Sequence, residues 1–253
     1  MTKRVMDIPF SSIALAVLSP LLIPVIIILR LTGERHVFYR QERVGKGGRM
    51  FGLYKFATML ENSPNLPGGL LTSKHDSRIL PFGRILRATK VNEIPQLLNV
   101  LLGDMSLIGP RPQARPHFDV FPAHVKKEII KVRPGLSGIG SIVFRDETSI
   151  LAKCGKDEAQ FYAEDIAPYK GELEIWYVQH QSASLDLLLL LLTLWVVLFP
   201  KSRLYMKLLA DLPSPGSVVL ARCLGLPLAA ETEEPALADV PTIELDVNDF
   251  SQR

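Results

Sequence analysis

The sequence predicts an α/β protein, mostly helical with one small β-hairpin, held at a membrane as a monotopic protein by an N-terminal re-entrant helix. Three observations carry that prediction. Ile8 to Leu29 is a 22-residue run without a charge, interrupted by prolines and flanked on both sides by bases. Two β-prone runs between Val37 and Tyr54 flank Gly45-Lys46-Gly47-Gly48, the pattern of a hairpin. Ile94, Leu97, Leu98, Leu101 and Leu102 recur at helical spacing and form one apolar face. The chain then divides into a membrane segment at 1–33, a cytoplasmic domain at 34–210 and an acidic tail at 211–253.

In the membrane segment, Ile8–Leu29 is long enough to cross a bilayer core of about 30 Å. Two features oppose a simple span. Ser19-Pro20 lies at the middle of the run and Pro24 follows one turn later, and each proline removes a helix hydrogen bond. The two limbs are then about 15 Å each, half a bilayer. Lys3 and Arg4 precede the run and Arg30 and Arg35 follow it, and bases mark the cytoplasmic side. A re-entrant hairpin broken at Ser19 and Pro20 satisfies both features; on the residues alone a kinked spanning helix stands beside it.

The formal net charge of +3 hides an asymmetry: residues 211–253 hold eight acids and two bases, so the rest of the chain carries +9. A basic body suits phosphates and an anionic membrane surface. No nucleic-acid-binding motif accompanies the charge, and nucleic acid is not expected as a partner. Cys154 and Cys223 lack the spacing of a metal site or a disulfide framework.

The centre of the chain is Leu86–Pro112. Pro95 has no N–H to give, so it belongs to the first turn of the amphipathic helix, which puts Asn92 at or near the N-cap; Gly103 closes the helix. Glu93 then sits at a helix N-terminus, with Arg78, Arg84, Arg87, Lys90 and Arg111 around it in sequence. A cationic pocket holding one acid suggests a metal–diphosphate site; the bland reading is an ordinary helix start. Beyond Pro112, residues 118–131 read as a helix, Arg133–Gly138 as a turn, Ser141–Arg145 as a short strand, and Asp146-Glu147 as a helix start. Glu158–Gln181 reads as a helix interrupted between Pro168 and Gly171. Leu187–Phe199 is 13 almost wholly apolar residues, too short to span and suited to a membrane interface through Trp195. The tail reads as disordered or loosely attached.

The block L-R-A-T-K-V-N-E-I-P-Q-L-L-N-V-L-L-G-D-M-S-L-I-G-P-R-P resembles the signature of the bacterial sugar transferases, the monotopic phosphoglycosyl transferases. The likeness extends to Gln41–Gly45, Lys55–Met59, Arg133–Gly138 and Tyr177…Asp186, about residues 1–203. It implies transfer of a sugar phosphate from a UDP-sugar to a polyprenol phosphate with release of UMP, on the cytoplasmic face of the inner membrane. It implies Mg²⁺ held by Glu93, with Arg78, Arg84, Arg87, Arg111 and Arg145 on the substrate phosphates. The partners are then a UDP-sugar, a polyprenol phosphate and membrane lipid, with oligomerisation left open.

Two departures qualify the likeness. Ala57 stands where the family has arginine, and Asn92 stands where the family has the aspartate taken to attack the β-phosphate. A carboxamide has no anionic oxygen and is a poor nucleophile. Three readings stay open: direct attack by the acceptor phosphate, with Asn92 orienting a phosphate; another acid (Glu93, Asp104 or Asp76) as nucleophile; or a silent relative that binds nucleotide-sugar or lipid as a partner subunit.

Overall fold

The computed structural model describes residues 2–66, 76–153, 157–200 and 202–226. Apolar periodicity over the N-terminus yields one helix, α1 (Thr2–Leu31), with Pro9, Pro20 and Pro24 inside it. Helical backbone therefore continues through Ser19 and Pro20 rather than ending there. The carbonyl that Pro20 cannot satisfy, that of Ala16, accepts the Ser19 hydroxyl instead at 2.8 Å. The helix is long and apolar enough to cross a membrane, and its outer face stays bare: Ile13, Val17, Leu21, Ile23 and Ile27 are all exposed.

The expected hairpin follows. Strands β1 (Phe38–Val44) and β2 (Met50–Phe56) pair antiparallel, joined through Gly47 and Gly48. After them come α2 (Pro81–Ala88), a 3-10 turn at Val91–Glu93, and α3 (Gln96–Leu102). The N-cap of α3 is Pro95, so Asn92 is not the capping residue; it belongs to the preceding turn, which starts from a left-handed Lys90. The other end is as expected, with Gly103 closing α3 at φ 93°.

The second half is a packed helical body. It comprises β3 (Ser106–Ile108), α4 (Arg115–Val120), α5 (Ala123–Ile129), β4 (Gly135–Ser137), α6 (Ile139–Val143), α7 (Glu147–Lys153) and α8 (Glu158–Phe161). A π-helical turn (Tyr162–Ile166), α9 (Ala167–Gln179), α10 (Ala183–Leu198), α11 (Leu204–Leu208) and α12 (Val218–Leu224) complete it. Several sequence expectations change here. The helix at 118–131 is divided by Phe121-Pro122, and Gly135–Ser137 is a strand paired parallel to β3 rather than a turn. Ser141–Val143 is helical despite its β-prone side chains, because Ile139, Ile142 and Val143 bury one helical face against the core. The interruption near Pro168 is the π-turn, after which Pro168 takes the first turn of α9, where its missing N–H costs nothing.

One large core contains Val100, Met105, Val125, Ile139, Phe161, Leu173, Tyr177 and Leu189. A smaller one joins Val25 and Leu29 of α1 to Phe56 and Leu86. In α10, Leu185, Leu189, Leu192 and Val196 are buried while Leu187, Leu191, Leu194 and Leu198 are exposed, so a largely apolar helix buries only one face. Residues 211–226, expected within the loose tail, pack instead: Leu220 is fully buried and Tyr169 Oη donates to the Pro213 carbonyl at 3.0 Å. The remainder of that tail, 227–253, lies outside the described residues.

Candidate active site

Asn99 on α3 sets the geometry. Its Nδ2 donates to the Gly52 carbonyl (2.8 Å) and its Oδ1 accepts the Tyr54 N–H (2.9 Å), so a buried carboxamide fastens α3 to β2. A Cβ at Gly83 would lie 2.2 Å from the Thr58 carbonyl oxygen; only glycine lets α2 approach the end of the hairpin so closely. These contacts bring Lys55 and Arg43 of the hairpin, Arg87 of α2 and the Asn92-Glu93 turn to one place.

Glu93 is the anionic centre. Its Oε1 accepts Arg111 Nη2 at 3.2 Å, and the glutamate side chain is 18% exposed. Burial pushes its carboxyl up, but Arg111, Lys55 and Lys90 outweigh burial and hold it at about 2. Arg111 is positioned from behind: its N–H donates to Glu174 Oε1 at 3.3 Å, and Gly135 N–H donates to the Pro110 carbonyl at 2.8 Å. Burial raises Glu174 to about 7.

The surrounding cations are only partly spent. Burial, aided by Arg43, Arg111 and Arg87, lowers the Lys55 ammonium to about 7 against the pull of Glu93. The Lys55 side chain has no hydrogen-bond partner among the described residues, and neither do the side chains of Lys90 and Arg145. Arg87 donates to Thr58 Oγ1 at 3.4 Å. Arg43 donates to Pro112 O (3.2 Å) and Gln41 Oε1 (2.5 Å), while its Nε is buried without a partner. Burial depresses the guanidinium of Arg43 to about 10 and shifts Arg87 and Lys90 downward as well. Arg145 adds positive charge beside Lys90.

Arg43, Lys55, Arg87 and Asn92 line one cleft of about 190 Å³, which runs on to Leu29 and Thr32 at the end of α1. Asn92 is 6% exposed, and its Oδ1 is enclosed without a hydrogen-bond partner. Of the residues expected on phosphate, Arg87 and Arg111 act on Glu93 and Arg145 lies near Lys90, outside the cleft lining; Arg78 and Arg84 do not join them. Arg78 is buried, forking onto Asp76 (Nε to Oδ1 2.8 Å, Nη2 to Oδ2 2.5 Å) and donating to the Ser63 carbonyl (2.9 Å). Arg84 points outward from α2, exposed. Asp104 is exposed at the far end of α3 beside Asn99.

Composition and periodicity alone did not single out Arg43 and Lys55. Arg43 reads as part of a solvated strand face, and Lys55 is one base in a β-prone run. The signal that marks them is the pair of family-like segments, Gln41–Gly45 and Lys55–Met59.

Residues 1–200 match the model of the family described as bacterial sugar transferase. The chain belongs to the bacterial sugar transferase family. A UDP-N-acetylgalactosamine-undecaprenyl-phosphate N-acetylgalactosaminephosphotransferase of Aeromonas hydrophila is 35% identical over 202 residues, 78% of this chain and 43% of that protein. A UDP-glucose:undecaprenyl-phosphate glucose-1-phosphate transferase of Klebsiella pneumoniae is 32% identical over 205 residues, 79% of this chain and 41% of its own. An uncharacterized sugar transferase EpsL of Bacillus subtilis is 35% identical over 198 residues, 78% of this chain and 87% of its own. The chain thus spans about two fifths of the length of the first two relatives.

The donor set does not fit the Mg²⁺ that the family resemblance implies. Mg²⁺ is held by hard anionic oxygens, ordinarily one or two carboxylates together with substrate phosphates. Here Glu93 is paired with Arg111, its neighbour is the neutral Asn92, and Glu174, behind Arg111, is engaged by the Arg111 N–H. Glu34, His36 and Glu61 meet on the cleft wall, but among the described residues no three His, Cys, Asp or Glu side chains are arranged to hold a metal ion.

Proposed function

We propose that this sugar transferase moves a sugar phosphate from a UDP-sugar to polyprenol phosphate, releasing UMP. The observation that carries the reading is the cleft itself. Arg43, Lys55 and Arg87 line it together with Asn92, the chain neighbour of the Arg111-paired Glu93, and its wall runs on to Leu29 and Thr32 at the end of α1. A diphosphate needs charge neutralisation, and planar guanidinium groups supply it. A lipid acceptor carries its phosphate at a membrane interface, where α1 brings the cleft.

In the direct mechanism an oxygen of the acceptor phosphate attacks the sugar-bearing β-phosphorus. The bond from that phosphorus to the bridging oxygen breaks, and UMP leaves with the electron pair. The products are UMP and a polyprenol diphosphate-sugar. Asn92 cannot form the carboxyl-phosphate adduct, but its amide can donate to a phosphate oxygen. The alternative acids are committed elsewhere: Asp76 to Arg78, Glu93 to Arg111, with Asp104 at the other end of α3.

The reading includes a re-entrant membrane helix with both ends on the cytoplasmic face. It is supported by contacts at both ends of α1 with the same body. Asp7 Oδ1 accepts Ser106 Oγ and the Leu107 N–H, each at 2.9 Å, while Val25 and Leu29 pack on Phe56 and Leu86. A domain on one side of a bilayer cannot hold both ends of a spanning helix. The exposed apolar face of α10 then lies at the same interface.

The test is UMP release by the purified chain with undecaprenyl phosphate and a panel of UDP-sugars. We expect UMP only when the acceptor is present, and no phospho-sugar adduct by mass. An acceptor-independent burst with an adduct would overturn direct transfer. No UMP from any donor would favour the silent-partner reading that Asn92 keeps alive.

A further inference from the structure

We infer that the cleft binds the diphosphate of its nucleotide ligand through side-chain cations alone, without a divalent metal ion. The inference rests on the proposed nucleotide-sugar reading and concerns how the same site neutralises its ligand. Metal-assisted diphosphate binding uses carboxylates to hold a cation, which in turn holds the phosphates. This site reverses the balance. Glu93, the carboxylate next to Asn92, is paired with Arg111 through Oε1 at 3.2 Å, so a metal there competes with a partly buried ion pair. The two carboxylates on the cleft wall are engaged as well, Glu34 by the Glu61 N–H and Glu61 by His36 at 3.3 Å. The adjacent side chain, Asn92, makes no hydrogen bond and carries no charge; its enclosed Oδ1 is a neutral acceptor.

The donors, by contrast, are in surplus. The side chains of Lys55, Lys90 and Arg145 have no hydrogen-bond partner among the described residues, Arg87 spends one weak bond on Thr58, and the Arg43 Nε is unpartnered. Arg43, Lys55 and Arg87 share the lining of the cleft with Asn92. These three cations repel a dication near Asn92, whereas a diphosphate pairs with them. An aspartate at position 92 would lower the site charge by one and put a second carboxylate beside Glu93, a better donor pair for a metal. The amide is therefore consistent with the loss of the metal.

The experiment is calorimetric titration of UDP into the full chain in lipid nanodiscs, once with EDTA and once with excess Mg²⁺. We expect the affinity in EDTA to equal or exceed that in Mg²⁺, within about threefold, since Mg²⁺ masks phosphate charge in solution. In Asn92→Asp, binding should become metal-dependent, weakening about tenfold or more in EDTA relative to Mg²⁺. Parent protein that binds UDP at least tenfold more tightly with Mg²⁺ than with EDTA overturns the inference while leaving the nucleotide-sugar reading intact. Absence of UDP binding in both conditions overturns the nucleotide-sugar reading, and the inference with it.

Discussion

Two polar clusters in this molecule use similar residues to opposite ends. At the N-terminal end of α1, every base is spent. Lys3 Nζ donates to the Ile108 carbonyl at 2.9 Å, contacts Tyr177 Oη and pairs with Asp186 at 3.2 Å. Tyr177 Oη also donates to Asp186 at 2.6 Å, and Arg4 donates to the last carbonyls of α3, including that of Leu101 at 2.8 Å. Next to the cleft, about 90 residues on, Glu93 has one formal partner and the cations acting on it outnumber it. Saturated charges hold the α1 helix to the body. Unsaturated charges, held close together against their repulsion, are a device for receiving an anion, and Arg78 shows that even one stretch of sequence holds both kinds.

The comparison is sharpest where a saturated partner is removed. Asp186→Ala should destabilise the folded protein by about 3 kcal/mol, because Lys3 and the Tyr177 hydroxyl lose their buried acceptor. Denaturant unfolding in detergent measures it, and UMP release by the folded fraction should stay within about threefold of the parent. A fully stable variant would mean that the α1 attachment does not rest on this cluster. At the other cluster the order is reversed. Glu93→Gln should cost about a hundredfold in UMP release with little loss of stability, since it frees Arg111 but removes the acid that organises the site.

A smaller effect is expected at Lys55. Its ammonium, lowered to about 7, is charged below that pH and neutral above it, whereas an anionic ligand favours the charged form. UDP binding should therefore weaken as pH rises through 7. Lys55→Ala should weaken binding about tenfold at pH 6 and flatten this slope. The ligand's own titration cancels between the two proteins, so equal slopes would remove Lys55 from the site. The smallest change is expected at Arg84, which is exposed and outside the cleft: Arg84→Ala should alter UDP affinity by less than about twofold. A larger loss would mean that the ligand reaches around α2.

What could be read from the sequence was local in its physics. The apolar run of α1, the hairpin around Gly47 and the face of α3 up to Gly103 follow from spacing and from glycine's access to positive φ, which neighbouring residues settle among themselves. The family motif marked Asn92, Glu93 and Arg111. The tertiary structure decided what depends on residues far apart along the chain. Lys55 is 38 residues from Glu93 and meets it because Asn99 pins α3 to the backbone of β2. The parallel pairing of β3 with β4 rests on strands too short to carry a pattern, and the β-prone 141–143 segment turns helical because burial outweighs its propensity. Above all, whether an arginine receives a ligand or holds the fold depends on which partner its fork has already found. Arg78 found Asp76, two residues away, and Arg87, nine residues further on, spends only one weak bond on Thr58. That difference lies in hydrogen-bond geometry, which composition and spacing do not encode.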